Sequence, residues 1–398
     1  MGKKDNKEAE GPRDLRLQAR EIADSLAIAF ILAMVIRHYV LEVFKIPTKS
    51  MEPTLLGDPW TGDKILVNKF AYDFRDPARW EVAVFKYPVD TSKNYIKRVV
   101  GLPGEAVRVR DGDVYINGEI ARKPWPVQRA LWRRRMHCGE ARSWLPDDES
   151  AWDLVDGRFV LIRENKVAPE YLNYDREIQA YEQQGSGRSF HPVPAMPTSD
   201  IMVEFRLIPL ELAGSAHVVL EVRTAGYRHQ LVDQWNVAIP LGKGPSRPQV
   251  FRSGKLVETG GPCTLRRARP TLVQVCNVDR ALIVRVDGRQ VACHVYEPSR
   301  GVYEWAGFGS QAQVRLGCKA GRVAFRDPGI YVDVHYTDSP DRYGVRVPYQ
   351  LGPGEYFVLG DNSANSNDSR FWEKVPRSYM VGEAFLVLWP LGRMKAVR

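Results

Sequence analysis

Short runs of β-branched and aromatic residues, many of them bounded by glycine, proline or Asp-Gly, recur along most of the chain and restrict the folds that it can adopt. Runs of this kind lie at residues 64–70, 82–85, 95–100, 107–109, 114–116, 202–207, 218–222, 281–286, 356–359 and 384–389. Asp111-Gly112 separates two of them and has the sequence of a tight hairpin turn. Many short strands with frequent turns predict an all-β protein.

The size and charge of the chain indicate more than one domain and argue against binding to nucleic acid. A length of 398 residues allows two or three domains. The net charge of +9 comes from lysine and arginine residues spread along the chain, without a basic block or zinc-finger spacing. A basic surface of this kind suits anionic lipid better than nucleic acid, with plain solubility as the open alternative.

The five cysteines form no recognisable metal or disulfide pattern. Their number is odd and no C-x-x-C pair occurs, so we predict no metal site and no cofactor. One disulfide among the last four is an open alternative if these residues lie outside the cytosol. The cysteines are Cys138, Cys263, Cys276, Cys293 and Cys318.

Residues 22–44 form the most apolar segment, with eleven consecutive apolar residues from Leu26 to Ile36. This run is shorter than the ~20 residues that a bilayer requires, but flanking apolar residues extend it to about that length. A cleaved signal peptide is one interpretation, although Tyr39 and Phe44 are bulky for a cleavage site. A buried helix is another, although apolar residues occupy every face. We favour a transmembrane anchor over residues 21–43, with the basic tail 1–20 in the cytoplasm and the remainder on the far side.

A serine between two prolines directly follows this segment. Pro47 and Pro53 each fix their own backbone and disfavour a helix, so an extended strand or a turn is expected to display Ser50. A serine hydroxyl is a weak nucleophile unless a base activates it. For this stretch alone, a solvated loop serine is the simpler interpretation.

The middle of the chain divides into two parts. Residues 121–198 are rich in proline and tryptophan and predict an irregular connection with a few strands. Residues 199–345 contain closely spaced strand signals and predict a β-sandwich. Residues 286–289 and 325–327 resemble the jelly-roll of concanavalin-like modules. No carbohydrate site is evident, so we expect a structural role, with binding of cell-surface material or a partner as the alternative.

Four segments resemble the signature boxes of type I signal peptidases and occur in that family's order after an N-terminal anchor. They are residues 46–55, 84–88, 95–105 and 360–370. The resemblance implies a signal-peptidase-like β catalytic domain built from residues 44–120 and 346–398, after one N-terminal transmembrane helix. The irregular connection and the jelly-roll-like β-sandwich would be inserted between these two parts.

The resemblance also implies a serine–lysine dyad, in which Ser50 is the nucleophile and Lys97 the general base. The hydroxyl of Thr48 and the backbone N–H of Ser50 would stabilise the oxyanion. Supporting roles fall to Asp361, Asn362, Ser366, Asp368 and Arg370. Within this set, Ser366 would bond Lys97, and Asp368 would pair with Arg370. Shallow substrate pockets would be lined by Phe44, Ile46, Pro47, Val84 and Ile96.

A lysine can act as a base only where its pKa is lowered, because a solvated amine with a pKa of about 10.4 stays protonated near neutral pH. Burial lowers that pKa. Strand alternation puts Lys97 beside Val99 on one face and Arg98 on the other. We therefore expect Lys97 to be sheltered and Arg98 to reach water.

The chain departs from the family pattern at several positions. Lys49 replaces a frequent glycine before the nucleophile, and Trp80-Glu81 occupies the place of a usual Gly-Asp. Ser363 and Ala364 replace a basic residue and an aspartate that often follow Gly-Asp-Asn. None of these changes removes a member of the dyad, so they concern substrate preference and loop packing.

The activity implied by the resemblance is removal of signal peptides from translocated precursor proteins by an endopeptidase on the outer side of the cytoplasmic (inner) membrane. Its partners would be these precursors and membrane lipid. A self-cleaving serine–lysine peptidase of the repressor type is a rival, although the anchor and the lack of a helix-turn-helix segment argue against it. A membrane-tethered binding protein that acts through the β-sandwich, with an inert peptidase part, is the rival from another class.

Overall fold

The computed structural model of the chain describes residues 15–35, 40–135, 143–180, 198–225, 231–297 and 311–398. Within these ranges β-strands dominate and helices are few, which confirms the predicted all-β class. Parts of the predicted tail, anchor and connection lie outside the described residues, together with Cys138. These parts are residues 1–14, 36–39, 136–142 and 181–197.

From Leu15 onward, the first part of the chain that the structure describes consists of one long helix followed mainly by strands. Its elements are α1 (Leu15–Val35), β1 (Leu41–Lys45), β2 (Lys64–Asn68), α2 (Ala71–Phe74), β3 (Val82–Tyr87), β4 (Asp90–Gly101), β5 (Ala106–Arg110), β6 (Asp113–Ile116), β7 (Glu119–Ile120) and α3 (Trp125–Leu131). Across the described ranges, no helix combines enough length with enough hydropathy to pass through a bilayer.

The middle of the chain consists of strands. They are β8 (Arg133–Arg134), β9 (Trp144–Pro146), β10 (Trp152–Val155), β11 (Arg158–Leu161), β12 (Glu170–Tyr174), β13 (Ile201–Pro209), β14 (His217–Ala225), β15 (Leu231–Pro240), β16 (Gln249–Arg252), β17 (Lys255–Thr259), β18 (Thr271–Val278), β19 (Ala281–Val286), β20 (Arg289–Val295), β21 (Gln311–Lys319) and β22 (Val323–Val332). The last part contains β23 (Tyr349–Gln350), β24 (Glu355–Leu359), α4 (Ser369–Trp372), β25 (Val375–Pro376), β26 (Met380–Trp389) and β27 (Lys395–Ala396).

The first sheet takes strands from both ends of the chain, in the order β1-β2-β26-β3-β4-β24-β25, with β27 beside β26. The central strand β3 is apolar along residues 82–85 because both of its faces are covered. Val82 and Val84 pack into one apolar cluster, whereas Ala83 and Phe85 pack into another. The neighbouring strand β4 therefore enters a region that is buried on both sides.

The predicted hairpin at Asp111-Gly112 is confirmed. Strands β5 and β6 pair antiparallel around it, and both turn residues have positive φ angles, 55° at Asp111 and 90° at Gly112. The hairpin belongs to a small sheet of order β23-β5-β6-β7, so this sheet also joins the first and last parts of the chain.

The middle strands form a second sheet, β10-β11-β22-β13-β18-β19-β20 with β8 beside β22, and a third sheet, β17-β16-β15-β14-β21-β12-β9. Both sheets contribute side chains to one apolar cluster. Phe205 and Phe325 enter it from the second sheet, and Trp235 and Leu316 from the third. Strands β9 to β12, within the predicted connection 121–198, extend these two sheets.

The chain enters and leaves the second sheet at adjacent positions, because Arg133 of β8 pairs with Val332 of β22.

Of the cysteines in the described ranges, Cys263, Cys276, Cys293 and Cys318 are all free, so the disulfide considered above is not formed among them.

Gly112 offers a test of the hairpin. An added Cβ would lie 2.3 Å from Nδ1 of His335, and the backbone already has a positive φ. Gly118 has φ +91° but nothing within 4 Å of an added Cβ, which makes it a matched control. We expect Gly118→Ala to lower the free energy of unfolding by about 1 kcal/mol and Gly112→Ala to lower it by a further ~1–3 kcal/mol, because of the added steric conflict. Urea unfolding measures both, and equal losses would contradict the contact.

Candidate active site

Ser50 lies in a single turn of 3-10 helix formed by residues Lys49–Met51, with extended backbone at Thr48 before it and Glu52 after it. The sequence predicted an extended strand or a turn, and the flanking prolines confine the helix to this one turn. The Ser50 side chain is 6% exposed, so it is not a solvated loop serine. The buried side chain of Met51 and the Leu55 N–H bond to Met51 O at 2.9 Å fix the segment after it.

Gly57 holds this segment in a tight fold that sequence reasoning missed. A Cβ at this position would lie 1.7 Å from the carbonyl oxygen of Thr48, so only glycine fits without a backbone shift. Gly57-Asp58-Pro59 signals a turn in the sequence, but the approach to Thr48 involves residues that only the folded chain brings together.

Lys97 of β4 lies directly opposite Ser50. Its Nζ is 2.8 Å from Ser50 Oγ and 2.9 Å from the carbonyl oxygen of Ile96. The residue is 4% exposed, as predicted from its place in the strand. Burial lowers the pKa of Lys97 to about 8, against the opposing effect of the carboxylates of Asp368 and Asp361. A neutral amine at this position can accept the Ser50 proton.

Arg98 does not reach water, which corrects the expectation from strand alternation. Its side chain is 0% exposed, because the face to which it points is covered by the segment that carries Ser50. The guanidinium donates to both carboxylate oxygens of Asp361 at 2.7 Å, to Trp80 O at 2.6 Å and to Thr54 Oγ1 at 3.1 Å. Strand alternation predicted the side of β4 to which Arg98 points, but it did not predict that another segment of the chain covers that side.

The loop that follows β24 binds the Ser50 turn directly. The backbone N–H of Asn362 donates to Ser50 O at 3.0 Å, and its side-chain amide donates to Lys49 O at 3.1 Å. Thr54 Oγ1 donates to Asp361 Oδ2 at 2.5 Å. Asp361 and Asn362 therefore connect two segments that lie about 300 residues apart in the chain.

Asp368 and Arg370 form a buried ion pair rather than a surface pair. Arg370 donates to both carboxylate oxygens of Asp368, at 2.9 and 2.8 Å, and both side chains are almost fully buried. Arg370 also donates to Ser363 Oγ at 2.6 Å and to Thr337 O at 2.9 Å. Asp368 in turn accepts from the N–H of Gly360 at 3.0 Å, so the loop closes on itself.

Ser366 faces the same cleft as Lys97, but the predicted hydrogen bond between them is not formed. Its Oγ is buried and has no hydrogen-bond partner in the part of the chain that the structure describes. The Lys97 amine is satisfied instead by Ser50 and by the Ile96 carbonyl. The orienting role of Ser366 stays a prediction.

A cleft of about 450 Å³ opens beside Ser50 and Lys97. All five residues predicted to line substrate pockets lie on its wall: Phe44, Ile46, Pro47, Val84 and Ile96. Thr48 is on the wall as well, and its Oγ1 is 3.5 Å from Ser50 Oγ. A carbonyl group attacked by Ser50 would therefore lie next to the Thr48 hydroxyl. No group of three His, Cys, Asp or Glu side chains suited to a metal ion is found within the described ranges.

Replacing the buried amine tests the burial of Lys97 without any assay of activity. Lys97→Met removes a charge that the folded state solvates poorly. Because the pKa is lowered from 10.5 to about 8, the folded protein bears the full cost below pH 8 and none above pH 10.5. We expect Lys97→Met to raise the free energy of unfolding at pH 7 by up to roughly 3 kcal/mol, with the gain fading towards pH 10.5.

Chemical unfolding at pH 7 and pH 10.5 measures this difference. Lys86→Met, on the exposed side of β3, is the control and should not gain stability at pH 7. A Lys97→Met protein no more stable than the wild type at pH 7 would contradict the lowered pKa.

Comparison with known proteins gives the family. The family model described as "Signal peptidase, peptidase S26" matches residues 19–166 and 322–389. Signal peptidase I of Pseudomonas aeruginosa is 43% identical over 113 residues, which cover 25% of this chain and 38% of that protein. Probable signal peptidase I-2 of Synechocystis sp. is 43% identical over 106 residues, covering 25% of this chain and 46% of that protein.

A third relative is covered more fully. Signal peptidase I V of Bacillus subtilis is 35% identical over 146 residues, which cover 35% of this chain and 79% of that protein. The chain spans less than half the length of the Pseudomonas and Synechocystis relatives. The family match extends over both parts of the chain that build the first sheet, and the chain therefore belongs to the signal peptidase, peptidase S26, family.

Proposed function

We propose that the protein is a membrane-bound serine endopeptidase that removes signal peptides from translocated precursor proteins with a Ser50/Lys97 dyad. The observation that carries this proposal is the 2.8 Å distance between Ser50 Oγ and a buried Lys97 Nζ. A serine needs an adjacent base to become a nucleophile, and a lysine needs burial to become a base. Membership of the family and the names of the relatives support the substrate class.

In the proposed mechanism, neutral Lys97 takes the proton of Ser50 Oγ while the oxygen attacks the scissile carbonyl carbon. The Ser50 N–H and the Thr48 hydroxyl stabilise the resulting oxyanion. Collapse of the tetrahedral intermediate breaks the C–N bond, and Lys97 returns the proton to the leaving amine. Lys97 then takes a proton from the water that attacks the acyl-enzyme carbonyl. Collapse of this second tetrahedral intermediate breaks the C–O bond to Ser50, and Lys97 returns the proton to Ser50 Oγ, which restores the free serine and the neutral amine.

The supporting residues hold the loop that faces the dyad. Asp361 binds Arg98 and Thr54, whereas Asn362 binds the backbone on either side of the nucleophile. The Asp368–Arg370 pair fixes the far end of the same loop. Ser366 would bond the Lys97 amine after substrate displaces one of its present contacts.

The cleft suits an extended peptide with small side chains near the scissile bond, the specificity that the family resemblance implies. Strand β1 lies at an edge of the first sheet. Strand β24 pairs with β4 only from Arg98 onward, which leaves the part of β4 before Arg98 open on that side. An extended substrate can add its backbone beside these strands while shallow apolar pockets take alternate side chains.

The catalytic domain comprises residues 44–120 and 346–398, joined through the connection 121–198 and an inserted β-sandwich at 199–345. The first sheet, which takes strands from both ends of the chain, supports the catalytic domain. The core shared by the second and third sheets supports the inserted domain, and strands β9 to β12 of the connection contribute to it. The proposed single-pass anchor at 21–43 places the catalytic domain on the outer side of the cytoplasmic membrane. Exposed apolar side chains on α1, with Ile22 61% and Phe30 66% exposed, support contact with lipid.

Substitution of the dyad tests the activity. We expect Ser50→Ala and Lys97→Ala each to lower kcat by at least about 10³-fold on a synthetic precursor peptide, since each removes a group that the chemical step requires. Lys86→Ala, on the neighbouring strand but exposed, should cleave at the wild-type rate. Unchanged cleavage by Lys97→Ala would refute the dyad.

The pH dependence tests the base separately. Lys97 must be neutral to accept a proton, and its pKa is lowered to about 8 by burial. We therefore expect kcat/KM to be low at pH 6, to rise through pH 8 and to level off above it. A profile that is flat from about pH 6 to pH 10 would count against Lys97 as the base.

A further inference from the structure

We infer that Arg133, which lies outside the first sheet, is a positioning residue for the Ser50–Lys97 pair and makes the second sheet part of the catalytic scaffold. The inference rests on the proposed function, because it concerns the geometry of that same site. It assigns a role to a residue that none of the four family-like segments contains.

The side chain of Arg133 bridges the two loops that build the site. Its Nη2 donates to the carbonyl oxygen of Glu52 and, at 2.9 Å, to the carbonyl oxygen of Asp361. Glu52 follows the 3-10 turn that carries Ser50, and its N–H closes that turn by donating to Lys49 O at 3.1 Å. A single guanidinium thus fixes the end of the nucleophile turn relative to the loop after β24.

This bridge completes a set of contacts between the same two loops. On the other side of the turn, Asn362 binds Ser50 O and Lys49 O. Without Arg133, the nucleophile turn would keep these contacts but could pivot about them. An arginine suits the bridging position because it stays charged and presents several donors in a rigid plane.

The backbone that carries Arg133 is itself fixed to the second sheet. Arg133 pairs with Val332 of β22, and the N–H of the nearby Arg135 donates to Ile330 O at 2.8 Å. In the preceding helix α3, the Gln128 amide donates to Asp333 Oδ1 at 2.7 Å. Any displacement of β22 therefore moves the Arg133 guanidinium with it.

A second contact, made by a residue that follows β22, reaches the far end of the loop after β24. Thr337, five residues after the end of β22, donates its N–H to Ser363 Oγ at 2.9 Å and accepts from Arg370 at 2.9 Å. The loop between Asp361 and Arg370 is thus held at both ends by segments that leave the β8–β22 pair. Arg133 of the second sheet and Thr337, shortly after it, therefore both contact this loop by hydrogen bonds.

The test compares two adjacent arginines. In Arg133→Gln, the bridge between Glu52 O and Asp361 O is lost. In Arg134→Gln, the next residue of the same strand loses the same charge, but its guanidinium lies over the Tyr331 ring. We expect Arg133→Gln to lower kcat about 10- to 100-fold with little change in KM, because small misplacements of a reacting group have effects of this size. Arg134→Gln should match the wild type.

Hydrogen exchange supplies a readout that needs no turnover. Arg133→Gln should speed exchange at the backbone amides of residues 49–56 and 360–367, whereas Arg134→Gln should not. Arg133→Lys keeps the charge, but its amine ends one bond short of Nη2, so both effects should be intermediate. If Arg133→Gln fails to fold, Arg133→Lys decides the question by the same two measurements.

Equal kinetics and equal exchange in the two glutamine variants would overturn the positioning role. A fall in kcat without faster exchange in the two loops would also overturn it, since the effect would not run through their positions. If the wild type cleaves no precursor peptide, the proposed function fails. The exchange comparison then decides alone whether Arg133 fixes the two loops.

Discussion

A lysine amine held out of water against a serine hydroxyl is the constraint on which the rest of this structure depends. The Nζ of Lys97 lies 2.8 Å from Ser50 Oγ, and burial lowers the pKa of this amine to about 8. Strand β4 provides that burial because the first sheet is covered on both faces by apolar clusters. The Ser50 turn forms part of that cover through Met51, so one segment of the chain both carries the hydroxyl and shelters the amine.

Two buried ion pairs place carboxylates close to Lys97, and burial outweighs the effect of these carboxylates on its pKa. Asp368 and Asp361 both act to raise the pKa of Lys97, against the larger effect of burial. Arg98 binds both oxygens of Asp361, and Arg370 binds both oxygens of Asp368. The Arg370 guanidinium acts in the opposite direction and lowers the pKa of Lys97. Buried ion pairs of this kind add little net stability. Separating the two partners would leave an uncompensated buried charge, and this penalty keeps the loop in its present geometry.

Short-range sequence patterns predicted the strands and turns, but they gave no information about contacts between segments that lie far apart in the chain. Turn residues and β-rich runs located the strands, and the family resemblance located Ser50, Lys97 and the residues of the cleft. Alternation gave the face of Arg98 but not its surroundings, because the cover comes from a segment 44 residues earlier. The bond from Arg133 to Asp361 joins residues 228 positions apart, and neither carries a local signal of the other. The unpartnered hydroxyl of Ser366 likewise follows from packing that no periodicity encodes.

The position of the middle strands follows from how the first sheet is assembled. Ser50 and Lys97 come from the first part of the chain, whereas Asp361 and Arg370 come from the last. The middle strands must therefore bring the chain back to the first sheet at a fixed position. Antiparallel pairing of β8 with β22 does this, because it brings residues 133 and 332 side by side. The closure cost of a long connection grows only slowly with its length once its ends are fixed in this way. The paired strands β8 and β22 also lie near the loop after β24, because Arg133 donates to Asp361 O and Thr337, after β22, donates to Ser363 Oγ.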